Sequence, residues 1–88
     1  MGNEKREKIK EIVLRVLRQI ENDNSINEKS DLEDDYRIDY YCRLGYHGRL
    51  KKELLKHGYI LKNVSPPDIA RYEEVSKLIV FIDQNTKN

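Results

Sequence analysis

A stripe of aliphatic residues near the start of the chain limits the possible folds more than any other feature of the sequence. The stripe repeats at i, i+3, i+4, i+7, i+8 and i+11, which is the spacing of one face of an amphipathic helix. Its members are Ile9, Ile12, Val13, Val16, Leu17 and Ile20. The polar segment 22–25 (NDNS) ends the pattern, because these side chains compete for backbone hydrogen bonds. We therefore predict a first helix over about residues 4–21, with an apolar face that other elements must cover.

The middle of the chain predicts a second helix with an irregular start. Spaced leucines support a firm helix over about residues 49–57. Gly45 and Gly48 interrupt the segment before it, and each costs roughly 1 kcal/mol relative to alanine inside a helix. Residues 40–48 are therefore predicted to be kinked or irregular. Gly58 stands where a glycine commonly ends a helix.

Two further helices are predicted in the last third of the chain. In the segment 65–68 (SPPD), the serine can cap a helix, the first proline suits its first position and the aspartate can complete the cap. This predicts a short third helix over about residues 66–72. A second apolar stripe then predicts the last helix over about residues 73–84. That stripe consists of Val75, Leu78, Ile79 and Ile82.

These elements indicate an all-α fold in one domain spanning residues 1–88, with an ordered core over about residues 4–84. The 88 residues, 38% of them hydrophobic, suffice for a single thin core. A long polar loop separates the first two helices, and its isolated apolar residues are expected to hold it against the core. No segment shows the alternation of apolar and polar residues that is typical of a β-strand.

Charge is distributed unevenly although the net charge is only +1. Residues 21–39 carry eight carboxylates against two cations, whereas residues 42–62 carry six cations against one carboxylate. One interpretation is that the two stretches neutralise each other locally. The other is a polarised surface that selects a charged partner.

The order and spacing of these motifs resemble the acyl carrier protein family over about residues 4–84. The segment 30–39 (SDLEDDYRID) looks like that family's acidic loop leading into its second helix, commonly written S-x-L-x-x-D-L-G-h-D-S-L. The matching positions are Leu32, Asp35, Ile38 and Asp39. Residues 65–82 are similar to the family's short third helix and its closing helix. The resemblance implies a four-helix bundle with a short third helix and a long loop between helices 1 and 2.

The sequence departs from the family at the residue that defines it. In carrier proteins a serine after the aspartate bears 4′-phosphopantetheine, and Tyr40 stands at that position after Asp39. Asp39 and Tyr40 thus mark a cofactor position that is expected to be unmodified, so no cofactor is expected. An alternative is modification of Ser30, which would need a different alignment. A second alternative is a thioester on Cys42, against which stands the interpretation of Cys42 as a small half-buried core residue.

Two classes of function fit this pattern. The first is a protein-interaction module, and because the second helix is basic here, its partner is expected to have an acidic docking surface. The residues predicted to contact the partner are Tyr41, Arg43, Tyr46, Arg49, Lys51, Lys52 and Lys56. The alternative is a small nucleic-acid-binding protein that uses the basic second helix for recognition. The neighbouring acidic loop and the low net charge argue against the alternative.

Catalysis and metal binding find little support in the sequence. Cys42, His47 and His57 lack the paired spacing of a zinc site. No serine is placed beside a histidine base, so the chain is not expected to be an enzyme. The tyrosines near position 40 suit either an interface or a core that is short of large aliphatic residues. With no signal-peptide pattern and no long apolar run, a cytoplasmic location away from membranes is expected.

Overall fold

The computed structural model describes residues 3–87 as a mostly helical chain with one very small sheet. The helices are α1 (Asn3–Glu21), α2 (Tyr40–Arg43), α3 (Tyr46–Lys56), α4 (Pro66–Ala70) and α5 (Val75–Gln84). The strands are β1 (Ile60–Leu61) and β2 (Thr86–Lys87). The predicted helical class is confirmed in this coarse form. Within the part described, no helix has both the length and the apolar character needed to span a membrane.

Helix α1 forms the centre of the packing, as its stripe predicts. Five of the six stripe residues are buried, and Ile20 alone is only half-buried. The buried face of α1 packs against α3 and α5. Lys5 joins the beginning of α1 to the end of the chain, because its Nζ donates to the carbonyl oxygens of Asp83 (3.0 Å) and Thr86 (2.9 Å).

The long loop over residues 22–39 is held to the core at defined points. Ile26 and Leu32 are fully buried, as expected for apolar anchors in a polar loop. The backbone N–H of Leu32 donates to the carbonyl oxygen of Glu73 (2.7 Å), and the N–H of Val75 donates to that of Ser30 (3.0 Å). These two bonds tie the loop to the start of α5. They also explain why α5 begins at Val75 and not at 73, since the backbone before it pairs with the loop.

The predicted second helix is present as two helical segments. Helix α3 begins at Tyr46, earlier than the predicted start at 49, and α2 occupies part of the lead-in that was expected to be irregular. Gly45 lies at the N-cap of α3, so it separates the two segments without interrupting either one. Gly58 ends the helix with a φ of 85°, a left-handed conformation that favours glycine.

The capping signal at residues 65–68 is confirmed, whereas the expectation of no strand is wrong. Ser65 and Asp68 form a capping box at the start of α4, although the helix ends at Ala70 and not at 72. Strand β1 pairs antiparallel with β2, with Leu61 opposite Thr86. Each strand has only two residues, too few for an alternating pattern to be visible in the sequence.

Candidate functional site

Asp39 caps the helix at the position that the family resemblance singles out. Its backbone is extended, and its Oδ1 accepts a hydrogen bond from the backbone N–H of Cys42 (2.9 Å). This hydrogen bond holds the pKa of Asp39 below its ordinary value of 3.8. A side-chain oxygen at the N-cap satisfies one of the free N–H groups of the first turn. Asp39 therefore fixes the direction in which α2 starts.

Tyr40 is the first residue of α2, and its side chain is only partly exposed. The Tyr40 side chain is 38% exposed and that of Tyr41 is 79% exposed. Their ring centroids lie 5.7 Å apart in an edge-to-face arrangement. A phenol at this position carries its hydroxyl at the far end of the ring, far from where a serine hydroxyl would lie.

The alternative modification site at Ser30 is contradicted by its surroundings. Ser30 is 5% exposed, and its Oγ accepts a hydrogen bond from the backbone N–H of Asn27 (3.0 Å). A modifying enzyme needs a free, accessible hydroxyl, and this one is buried where the loop meets α5. Ser30 serves instead to shape the loop.

Cys42 is exposed, so its interpretation as a half-buried core residue is wrong. The thiol lies beside the Asp39 carboxylate, and the hydrogen bond and negative charge of Asp39 raise the pKa of Cys42 above its ordinary value. Only the thiolate is strongly nucleophilic. This setting disfavours the thioester alternative, because the thiol stays protonated at neutral pH.

Arg43 is buried, which corrects its assignment to the docking surface. It is 3% exposed and its Nε donates to the carbonyl oxygen of Ala70 (2.7 Å). Its Nη1 donates to the carbonyl oxygen of Ile38 (2.6 Å) and lies 3.2 Å from Oε1 of Glu33. Arg43 thus joins the long loop, α2 and α4 from the inside. Its three acceptors compensate for the cost of burying a charge.

Tyr46 is also buried and is likewise removed from the docking surface. Its hydroxyl donates to Oε2 of Glu21 at the end of α1 (2.8 Å). Burial and the neighbouring Glu21 carboxylate raise the pKa of Tyr46. The two interpretations of the tyrosines therefore apply to different residues, because Tyr46 fills the core while Tyr41 faces solvent.

Tyr41 lies in α2, and the other four remaining predicted contact residues lie on the solvent side of α3. We call this surface of α3 the basic face. It comprises those four, Arg49, Lys51, Lys52 and Lys56, together with Leu55, which the sequence did not single out, and all five are exposed. Leu55 is 61% exposed although it is aliphatic. Lys56 pairs with Glu53 (3.1 Å) on the same helix. Within residues 3–87, no carboxylate lies within ion-pairing distance of Lys51 or Lys52.

The acidic and basic stretches of the sequence share few ion pairs. In the part of the chain that is described, Arg43–Glu33 is the single ion pair that joins residues 21–39 to residues 42–62. Arg43 is buried, so this pair lies away from the basic face. Local neutralisation therefore does not account for the charges of α3, and the polarised surface is the better description.

Three carboxylates lie close enough together to be considered as metal ligands. Asp31, Asp34 and Glu73 each place one carboxylate oxygen within 4.8 Å of the others. Asp31 Oδ1 already accepts from the backbone N–H groups of Glu33 (3.0 Å) and Asp34 (2.8 Å), as in an ordinary polar turn. Over residues 3–87, the thiol and the two imidazoles do not assemble into a ligand set.

Comparison with known proteins finds no relative of this chain. Neither the protein-family models, nor the curated proteins, nor the solved structures contain a match to the chain.

Proposed function

We propose that this chain is an acyl-carrier-like helical domain that lacks 4′-phosphopantetheine and binds a protein partner through the basic face of α3. The proposal rests on the four exposed cations that lie together around Leu55 on α3, three of which have no ion-pair partner among the described residues. A single exposed leucine is common on protein surfaces, so the grouping of the cations around it is what distinguishes this face. Unpaired cations around it favour a partner of the opposite charge.

The carrier-like part of the proposal is supported by the order of elements. A long first helix, a loop anchored to the core, a short capped helix and a closing helix follow in the order that the resemblance implies, with the pair of α2 and α3 where it implies one second helix. Asp39 caps the helix directly before the position where carrier proteins have their serine. Tyr40 at that position, together with the buried Ser30, leaves no suitable hydroxyl at the site.

The absence of the prosthetic arm is tested by intact mass spectrometry. The chain is incubated with coenzyme A and a broad-specificity phosphopantetheinyl transferase, beside an authentic carrier protein as the positive control. We expect no mass shift while the control is fully modified. A gain of one phosphopantetheine that maps to any serine would contradict the proposal. The variant Tyr40→Ser then asks whether the scaffold accepts the arm once a serine is restored.

The docking face is tested by charge reversal. The variant Lys51→Glu/Lys52→Glu/Lys56→Glu should lose specific protein capture from lysate, because an acidic partner is now repelled. The matched control reverses three exposed lysines elsewhere, Lys8, Lys29 and Lys62, and should keep capture. Equal capture by both variants would reject the basic face as the docking site.

Nucleic acid is the second candidate, since exposed lysines on one helix also suit phosphate groups. Binding through phosphate contacts weakens steeply as salt rises. We expect no measurable binding to random duplex DNA at low salt, given the acidic loop on the same small domain. Salt-sensitive DNA binding that the triple reversal abolishes would favour this second candidate over a protein partner.

A further inference from the structure

A glycine, which has no side chain, lies near the centre of the basic face. Gly48 lies in α3, and a Cβ built on it would meet no atom within 4 Å. It precedes Lys51 and Lys52 by three and four residues, so these lysines are its neighbours on the helix surface. Glycine is unfavourable inside a helix, and no close packing against the rest of the chain requires it here. The gap therefore opens towards solvent.

Two exposed apolar side chains lie on either side of this gap. Leu55 follows Gly48 by seven residues and Tyr41 precedes it by seven, the spacing of one helix face. Leu44 and Gly45, which join α2 to α3, keep right-handed helical dihedral angles, so the face continues through the junction. The opposite side of α2 and α3 carries buried residues that repeat at helical spacing, namely Arg43, Tyr46, Leu50 and Leu54.

We infer that the partner presents an acidic amphipathic helix, which crosses α3 at Gly48 with its apolar residues against Tyr41 and Leu55. This inference rests on the proposed function and specifies the partner's form and chemistry. Helices pack with axes about 8–10 Å apart depending on the side chains at the contact, so a glycine at the crossing point permits the closer approach. Charge complementarity selects the occupant, because Lys51 and Lys52 then face carboxylates that flank the apolar stripe of the incoming helix.

One substitution separates the docking role of Gly48 from its effect on stability. Gly48→Gln replaces a poor helix former by a good one, and the new side chain has open space around it. The melting temperature should therefore rise by about 4–8 °C. The same side chain fills the crossing point and should weaken helix binding about tenfold, a typical cost of overpacking. A residue with a merely structural role would not gain stability and lose binding together. Ser76→Gln, a small-to-large change at an exposed position of α5, is the matched control.

The probe is a displayed library of randomised helical peptides about four turns long, selected on the intact chain. We expect enriched peptides to carry Asp and Glu around apolar residues at helical spacing. Their affinity should fall about tenfold with Gly48→Gln and at least as much with Lys51→Glu/Lys52→Glu, and should stay unchanged with Ser76→Gln.

The possible outcomes distinguish this inference from the function on which it rests. Acidic binders that lose affinity with the lysine variant but tolerate Gly48→Gln would overturn the helix crossing and leave the docking face intact. Enriched peptides that are basic, or that ignore both variants, would overturn the crossing and the face together, as would the failure of any peptide to enrich. Analytical sedimentation of the chain alone measures whether it associates with itself. Self-association at low salt that Lys51→Glu/Lys52→Glu abolishes would assign the face to a second copy of the chain and overturn the inference.

Discussion

Arg43 and Lys51 belong to one basic stretch of the sequence, yet the two cations have opposite surroundings. Arg43 points inward and donates to the carbonyl oxygens of Ala70 and Ile38. Lys51 points outward, and no carboxylate of the described chain pairs with it. The inward cation stabilises the fold, whereas the outward one is available to a partner. Composition and local charge do not distinguish the buried Arg43 from the exposed Lys51, whereas their positions in the helical period do.

Removing the buried cation is expected to have the largest effect on stability. Arg43→Met should lower the free energy of unfolding by roughly 3–5 kcal/mol, because two buried carbonyl oxygens lose their donor. Chemical denaturation measures the change, and the exposed Lys51→Met should change stability by less than about 0.5 kcal/mol. Similar losses of unfolding free energy for both variants would show that Arg43 contributes no more to the stability of the fold than Lys51 does.

The second test compares two leucines on opposite sides of α3. Leu50 is fully buried and Leu55 is 61% exposed. Leu50→Ala should cost about 2–5 kcal/mol of unfolding free energy through the cavity it leaves, and Leu55→Ala should cost less than about 0.5 kcal/mol. Urea unfolding of both variants gives the values. A large loss for Leu55→Ala would mean that this residue packs within the fold and is not free for docking.

The third test uses two glycines with different backbone conformations. Gly48→Ala should stabilise the chain by about 1 kcal/mol, since the position is helical and open. Gly58→Ala should destabilise it by about 1 kcal/mol, because its φ of 85° disfavours any side chain. Thermal unfolding of both variants is the measurement. If Gly48→Ala destabilised the chain instead, Gly48 would be needed for internal packing.

The smallest expected effect concerns the cap at the start of α2. The folded-state pKa of Asp39 is lowered, so its contribution to stability is present above its unfolded pKa and is lost as the pH falls through the folded value. Asp39→Asn should therefore make stability less dependent on pH in the acid range. It should also lower the pKa of Cys42, because the neighbouring charge is removed. Iodoacetamide alkylation at pH 8 should then be faster, and an unchanged rate would refute the pairing of thiol and carboxylate.

The sequence predicts the elements of this fold better than it predicts which side of each element faces inward. The stripe of α1, the capping box of α4 and the stripe of α5 are long or specific enough to predict without tertiary information. The strands are not, since two residues show no period. Arg43 and Tyr46 are buried although the sequence predicts them at the docking surface, because Gly45 and Gly48 obscure the helical period before Arg49. Tyr46 and Arg43 precede the buried Leu50 by four and seven residues, so the helical period of α3 places both on its buried face.

Lys5 has a consequence for how the first turn of α1 and the residues after α5 open. Its ammonium group holds the first turn of α1 against the carbonyl oxygens of Asp83 and Thr86. Unwinding of either segment breaks these bonds, so the two segments form one cooperative unit and their amide hydrogens should exchange at similar rates.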